Sequence, residues 1–183
     1  SKGVIASPAD MKGKKFRVVG SPIFIETFSA LGANPTQMSF ADAQPALSTG
    51  AVDGQENPLS VFIGAKMWTL NQKFLTLWGY TADPLVFVVN KEVWASWTPA
   101  DREAVRQAAI QAGNENVAAA RKGIAAPDTE ILKQIEAQGV TITHLTPDQR
   151  KAFQTATRGV YDKWAQQIGR DLGQPEPDDV LAQ

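Results

Sequence analysis

The sequence predicts an α/β protein in which a mixed or parallel sheet is flanked by helices. The first 40 residues contain a strand, a helix and a second strand in succession, an order typical of a parallel unit. Residues 84–89, PLVFVV, form a continuous apolar run, which favours a central strand buried on both faces. A long alanine-rich helix is predicted to follow from Thr98-Pro99, where proline suits the first helical position.

The first strand is predicted at 15–19 and the helix after it at 22–31. Phe24, Phe28 and Leu31 recur at steps of four and three residues, which places them on one apolar face that Gly32 ends. The other elements predicted before residue 80 are a helical turn at 7–10, a strand at 36–40, a helix that begins a few residues before Pro45 and ends at Gly50, a buried helix or loop at 59–70, and a strand at 74–78.

Proline and glycine divide the second half of the chain. Pro127 is expected to kink or restart the long helix, and Gly139 is expected to close it. A short strand at 140–143 then leads to Thr146-Pro147-Asp148-Gln149, a capping-box pattern that opens a last helix reaching about Leu172. Residues 174–183 resemble a frayed tail.

Composition excludes several classes of protein. The chain has 183 residues, of which 43% are hydrophobic and 20% charged, so it can bury one core or two small ones. A formal net charge of −1 provides no basic surface for nucleic acid. The chain has no cysteine, which excludes disulfides, thiolate metal sites and cysteine nucleophiles. We expect no cofactor and no metal.

Arg17 and Asn57 are the candidate ligand-binding residues. Arg17 lies within an apolar strand, between Phe16 and Val18, where a cation must reach water or find an anion. A guanidinium presents a planar fork that matches a carboxylate. Arg17 could also be a surface arginine whose stem covers apolar neighbours, and Asn57 could be an ordinary turn residue before Pro58.

Four motifs occur in a fixed order along the chain. They are MKGKKFRV at 11–18, GANP at 32–35, ALSTG at 46–50 and VDGQENP at 52–58. Together they resemble the solute-binding proteins of tripartite ATP-independent periplasmic (TRAP) transporters, DctP type. In that family the arginine of the first motif pairs with a ligand carboxylate and the asparagine of the last hydrogen-bonds it. The resemblance therefore implies these roles for Arg17 and Asn57.

The resemblance also implies a periplasmic-binding-protein-like fold of type II, in which two lobes close on the ligand. Residues 1–82 would form the second ligand-binding lobe, 83–122 a strand and long helix that cross to the first lobe, 123–172 a return to the second lobe, and 173–183 a tail. The match is to the second part of a family member. We therefore expect the main part of the first lobe to be missing here, and a secretory signal to have been removed.

Three aromatic side chains and one glycine complete the site that the resemblance implies. Phe40 matches an aromatic wall position, and Tyr80 stands where some members carry histidine, with Trp78 two residues earlier. Core packing is the alternative for each aromatic residue. Gly20 stands where some members place a polar side chain that contacts the ligand, which leaves the specificity for sugar acids open.

Three functions follow as hypotheses. The first is a periplasmic protein that captures a small organic carboxylate and delivers it to membrane permease subunits. The second is a hydrolase or lyase that uses Asp53, Glu56 or His144, although no Gly-x-Ser-x-Gly elbow or histidine cluster supports catalysis. The third is an interaction module, which requires Arg17 to be exposed. An Asp-Gly dipeptide such as Asp53-Gly54 more often forms a turn, and His144 is more often solvated than a metal ligand.

Overall fold

The computed structural model describes residues 1–81, 86–121 and 130–171, and these divide into two compact units. The first comprises Ser1–Trp78 and the segment that begins at Ile135, and the second comprises Gly79–Gln134. The α/β fold class is confirmed, because all described strand pairs are parallel and helices flank them.

The first sheet contains three strands in the order β2-β1-β3. The central strand β1 (Lys15–Val18) pairs with β2 (Asn34–Gln37) and with β3 (Gly54–Gln55). Between them run helices α1 (Pro22–Ala30) and α2 (Phe40–Thr49). The predicted strand, helix and strand are thus confirmed as a parallel unit, with β1 at its centre.

A second sheet pairs β4 (Phe74–Leu77) with β5 (Thr141–His144). Helix α3 (Leu59–Gly64) and a 3-10 turn at Met67–Thr69 precede β4. Helix α7 (Pro147–Asp171) follows β5 and is anchored on α1, because Glu26 accepts hydrogen bonds from Lys163 Nζ at 2.6 Å and from Trp164 Nε1 at 3.2 Å.

The core of the first unit consists of apolar side chains from both sheets and from the helices that flank them. Val18, Leu47 and Ile135 are fully buried, and Phe28 is 1% exposed. The Phe28 ring lies 5.3 Å from that of Phe16 and 6.0 Å from that of Trp78, measured between ring centroids. Burial of these side chains stabilises the fold by about 2 kcal/mol each.

The second unit contains α4 (Lys91–Ser96), α5 (Pro99–Arg121) and the start of α6 (Glu130–Glu136). The long helix is confirmed as far as Arg121, and the break predicted at Pro127 lies outside the described residues. Helix α4 is an element that the sequence prediction missed. A shallow groove of about 510 Å³ in this unit is lined by Phe87, Val89, Lys91, Trp94, Val105, Arg106, Ala109 and Ile110.

Two predictions about strands are wrong. Residues 86–89 of the predicted central strand belong to no strand, and Val86 and Val88 are 76% and 78% exposed, since no described strand lies beside them to complete a ladder. Residues 84 and 85 lie outside the described residues. The strand predicted to end at Phe40 instead ends at Gln37, because Ser39 caps α2 and Phe40 is its first residue.

Pro45 lies inside α2, at its sixth position, as predicted for a helix that begins shortly before this proline. The helix ends at Gly50, whose φ of 80° is a left-handed conformation that glycine adopts without steric cost. The chain then turns directly into β3, which returns it to the side of β1. Helix α2 therefore sets the path that leads to residues 55–57.

Candidate functional site

Arg17 is a buried cation on the central strand of the first sheet. Its side chain is 3% exposed, and its register partners are Thr36 on β2 and Gln55 on β3. Side chains alternate along a strand, so the guanidinium leaves β1 on the face opposite to Phe16 and Val18. Because a buried charge is costly unless it is paired, this position calls for an anion.

One hydrogen bond fixes the Arg17 side chain. Its Nε donates to the carbonyl oxygen of Met38 at 3.1 Å. Within the described part of the chain, no salt bridge or further hydrogen bond engages the two terminal nitrogens. Burial lowers the pKa of the guanidinium and the negative charge of Glu56 opposes that shift, but an arginine stays protonated in proteins. Arg17 can therefore still offer two donors to a carboxylate.

Asn57 is joined to Arg17 through one intermediate residue. Its Nδ2 donates a hydrogen bond to Oε1 of Gln55, which is the neighbour of Arg17 across the β1–β3 pair. Asn57 is half-buried. A carboxamide nitrogen carries two hydrogens, so one remains after this bond. The structure thus brings Arg17 and Asn57 to the same end of the first sheet.

Phe40 lies beside the guanidinium at the start of α2. Its ring centroid is 6.0 Å from Arg17 Cζ, which is within the range of a cation–π contact, and its side chain is 36% exposed. Ser39 accepts a hydrogen bond from the backbone nitrogen of Asp42 at 3.2 Å and holds this helix end in place. Phe40 therefore provides an accessible apolar surface next to the charge.

Trp78 and Tyr80 are placed differently. Trp78 packs edge-to-face on Phe28 and Phe153, with ring centroids 6.0 and 5.2 Å apart, and so takes part in the core of the first unit. Tyr80 belongs to the second unit and is half-buried. Their contact with a ligand stays a prediction.

Gln55 and the carbonyl of Met38 are site components that sequence reasoning missed. Gln55 stands within the VDGQENP motif, but its role depends on its register with Arg17, which a sequence does not display. A backbone carbonyl such as that of Met38 carries no side-chain signal at all. These two groups orient the predicted ligand-binding residues.

Asp53 and His144 are two of the residues considered above as alternative catalytic groups. Asp53 accepts hydrogen bonds from Lys15 N at 2.9 Å and Lys2 Nζ at 3.2 Å. The bond from Lys15, more than that from Lys2, holds the pKa of Asp53 below its usual value. His144 is exposed at the end of β5, paired with Leu77. No group of His, Asp and Glu within the described ranges could hold a metal ion.

Comparison with known proteins identifies the family. The profile described as "Bacterial extracellular solute-binding protein, family 7", or DctP, matches residues 1–167. The chain therefore belongs to this family of periplasmic solute-binding proteins, whose role is in transport. The resemblance drawn from the four motifs is confirmed.

Solved structures and curated relatives agree with this assignment. A TRAP periplasmic solute-binding protein from Ralstonia eutropha H16, solved with bound (S)-2-acetolactate, is 64% identical, with a TM-score of 0.89 over 94% of this chain and 55% of its own. One from Roseobacter denitrificans with bound L-galactonate is 31% identical, with a TM-score of 0.78 over 87% of this chain and 51% of its own. The C4-dicarboxylate-binding periplasmic protein DctP of Vibrio cholerae is 38% identical over 92% of this chain and 49% of its own.

The chain spans about half the length of the curated relatives it matches, 45% of the 2,3-diketo-L-gulonate-binding protein YiaO of Escherichia coli and 49% of the Vibrio cholerae protein. A helix long and apolar enough to cross a membrane was not found among the described residues.

Proposed function

We propose that this chain forms one wall of a carboxylate-binding cleft and serves a periplasmic protein that captures a small organic acid. The observation that carries the proposal is Arg17, which is buried, charged, and free at its terminal nitrogens of any described salt bridge. A ligand carboxylate would supply the anion that this position requires.

The geometry suggests how the acid would be held. The two terminal nitrogens of Arg17 would bind both carboxylate oxygens, while the Nε bond to Met38 keeps the fork from rotating. The remaining hydrogen of Asn57 Nδ2 would donate to the same carboxylate or to a neighbouring oxygen. Phe40 would cover the apolar part of the ligand and help exclude water, which strengthens the charge interaction.

The relatives support a carboxylate as the ligand class. Proteins of this family are described with 2-acetolactate, L-galactonate and C4-dicarboxylates, which share a carboxylate and differ in length and polarity. The carboxylate is the group that the guanidinium fork of Arg17 would bind, and the variable part of each acid would contact other side chains. Trp78 and Tyr80 are proposed as members of that second group.

The organisation into lobes belongs to the same proposal. Residues 1–82 and 123–172 would form the second lobe, and 83–122 would cross to the first lobe, with 173–183 as a tail. The opposing wall of the cleft would come from the first lobe. We further propose that the loaded protein acts in the periplasm and delivers its acid to the permease subunits of a TRAP transporter.

The competing functions have less support. An interaction module required an exposed Arg17, whereas its side chain is 3% exposed. A hydrolase or lyase based on Asp53 has little support, because the carboxylate of Asp53 is engaged by Lys15 and Lys2. A non-catalytic binding protein is therefore the function we propose.

A ligand screen tests the proposal in the protein at its full natural length. Thermal unfolding should be measured with a panel of mono- and dicarboxylates, since saturation at about 100 times Kd stabilises by roughly 2.7 kcal/mol. Arg17→Ala should weaken binding of the best acid by about 2–5 kcal/mol, the usual cost of removing one partner of a buried charged pair.

Arg17→Lys is the matched variant, because it keeps the charge but lacks the fork, and it should recover part of the loss. Wild-type affinity in either variant, measured by calorimetric titration, would refute the role of Arg17. Stabilisation by no acid of the panel would refute the carboxylate class.

A further inference from the structure

The amino-terminal end of α2 lies beside the Arg17 guanidinium. Arg17 Nε donates to the carbonyl oxygen of Met38 at 3.1 Å, and Met38 directly precedes Ser39, the residue that caps this helix. Arg17 Cζ is also 6.0 Å from the ring centroid of Phe40, the first residue of α2. Both contacts hold the guanidinium next to the first turn of the helix.

The first turn of α2 carries backbone donors that the protein does not use. The N–H groups at the start of a helix have no acceptor within the helix. Ser39 Oγ accepts from one of them, Asp42 N, at 3.2 Å. The backbone nitrogens of Phe40 and Ala41 donate to no group in the part of the chain that the structure describes. Both residues are exposed, so a ligand can reach these N–H groups.

Two positive groups therefore converge at this end of the first sheet. The start of a helix carries the equivalent of about half a positive charge, and it favours carboxylates and phosphates. Arg17 adds a full charge that is buried and whose terminal nitrogens have no described partner. Asp42, the acidic residue of this turn, is exposed and is engaged by Ser39 Oγ at 2.6 Å. An anion beside the guanidinium would be attracted by the helix end as well.

A carboxylate can accept more hydrogen bonds than Arg17 and Asn57 would donate. Its two oxygens carry about four lone-pair sites. The terminal nitrogens of Arg17 would fill two of them, and the remaining hydrogen of Asn57 Nδ2 would fill a third. The N–H of Phe40, two residues after Met38, can fill the site that is left.

We propose that the backbone N–H of Phe40 is a further ligand-binding donor, and that the start of α2 completes the carboxylate site together with Arg17. This inference rests on the proposed carboxylate function. It assigns to Phe40 a second role that is independent of its ring. The ring would cover the apolar part of the acid, whereas the N–H would hold a carboxylate oxygen.

Two substitutions at one position separate the N–H from the ring. Phe40→Ala removes the ring and keeps the N–H, whereas Phe40→Pro removes both. Proline suits this position, because Ser39 before it has φ −59° and ψ 161°, a conformation that proline favours in its predecessor. Three other helices already begin with proline, namely α1 at Pro22, α5 at Pro99 and α7 at Pro147.

Calorimetric titration of the protein at its full natural length measures the difference. The ligand is (S)-2-acetolactate or, if another acid of the panel binds better, that acid. Phe40→Pro should bind about tenfold more weakly than Phe40→Ala, because it also loses a hydrogen bond to a charged group. Equal affinities would overturn the proposal.

A second measurement covers the case in which Phe40→Pro does not fold. Incorporation of phenyllactate in place of Phe40 keeps the ring and replaces the N–H by an ester oxygen. This protein should also bind the acid about tenfold more weakly than the wild type. Wild-type affinity would overturn the proposal.

The controls separate this inference from the proposed function. Lys91→Ala and Lys91→Pro make the same pair of changes at the first residue of α4 and should bind the acid alike. If Arg17→Ala weakens binding but the two Phe40 variants bind equally, the role of the Phe40 N–H alone is overturned. A wild-type protein that binds no carboxylate of the panel would overturn both proposals.

Discussion

Gln55 accepts a hydrogen bond from Asn57 Nδ2 and is at the same time the register partner of Arg17 across β1 and β3. Gln55 thus contacts Asn57 through its side chain and neighbours Arg17 through the pairing of their strands. With Gln55 in place, the Asn57 amide has its nitrogen, rather than its oxygen, turned toward the sheet. The bond therefore defines which group of Asn57 can meet an anion.

Replacing Gln55 by alanine should leave the Asn57 amide free to rotate and should weaken carboxylate binding by about 1 kcal/mol, the usual net worth of one hydrogen bond. Calorimetric titration of the protein at its full natural length measures the effect. Gln44→Ala, on α2, is the matched control and should bind as wild type. Undiminished affinity in Gln55→Ala would show that Asn57 does not depend on this bond.

Asp53 should make stability depend on acid pH. Its carboxylate receives hydrogen bonds from Lys15 N and Lys2 Nζ, and its pKa is lowered in the folded state. Because the pKa is lower in the folded state, the ionised carboxylate stabilises the fold at pH values above about 3.9, the pKa of an aspartate in the unfolded chain. This contribution disappears as the pH falls through the pKa of the folded state.

Asp53→Asn keeps the shape and removes the charge, so it should lower the free energy of unfolding at pH 7 by about 1 kcal/mol. Urea unfolding followed by tryptophan fluorescence at several pH values should show the difference from wild type shrinking below about pH 4. Asp162→Asn, which breaks an exposed pair with Arg158 on α7, should have a smaller effect. An equal difference at every pH would contradict the argument.

The strand and helix pattern around Arg17 could be predicted from the sequence. An arginine between Phe16 and Val18 requires an unusual environment, and the stripe of Phe28 and Leu31 places a helix against that strand. The path of the chain back to β1 through Gly54 and Gln55 could not be predicted in the same way. It depends on long-range pairing, which local periodicity does not encode.

Two errors have identifiable causes. Helix α4 was missed because the apolar run before it indicated a strand. Asn90 caps this helix, and its Oδ1 accepts hydrogen bonds from Glu92 N at 2.9 Å and Val93 N at 3.1 Å. At Phe40, weak alternation favoured a strand, but the cap formed by Ser39 and Asp42 starts a helix there. In both cases capping chemistry outweighed an apolar pattern.

Trp78 was predicted as a ligand contact and packs between Phe28 and Phe153. Trp78→Phe should lower the free energy of unfolding by about 1–2 kcal/mol, because the smaller ring leaves a cavity. If Trp78 also contacts the acid, the folded variant should bind the acid with lower affinity than the wild type. Trp68→Phe, which alters the contact with Phe62, is the control that should affect stability alone. Wild-type affinity in Trp78→Phe would restrict Trp78 to packing.

Residues 1–183 by themselves should bind an acid weakly. The chain supplies Arg17, Asn57 and Phe40, while the resemblance implies that the opposing wall belongs to the other lobe. A carboxylate on a half-open site stays hydrated, so its attraction to Arg17 falls toward that of an exposed pair, about 0–1 kcal/mol. Calorimetry should therefore show much weaker binding than in the protein at its full natural length.

The same chain should also self-associate through residues 86–88. Val86, Phe87 and Val88 are 76%, 69% and 78% exposed and pair with no described strand, and an exposed apolar segment of this kind invites pairing with another chain. Gel filtration of residues 1–183 should show a species larger than a monomer. Replacing Val86 and Val88 by lysine should shift it toward the monomer, because charged edges resist pairing, whereas Val4→Lys in the first unit should not. A monomer of residues 1–183 with micromolar carboxylate affinity would contradict the two-lobe interpretation. It would show that one wall binds the acid without the other lobe, and that the apolar side chains at 86–88 remain exposed to water without a partner.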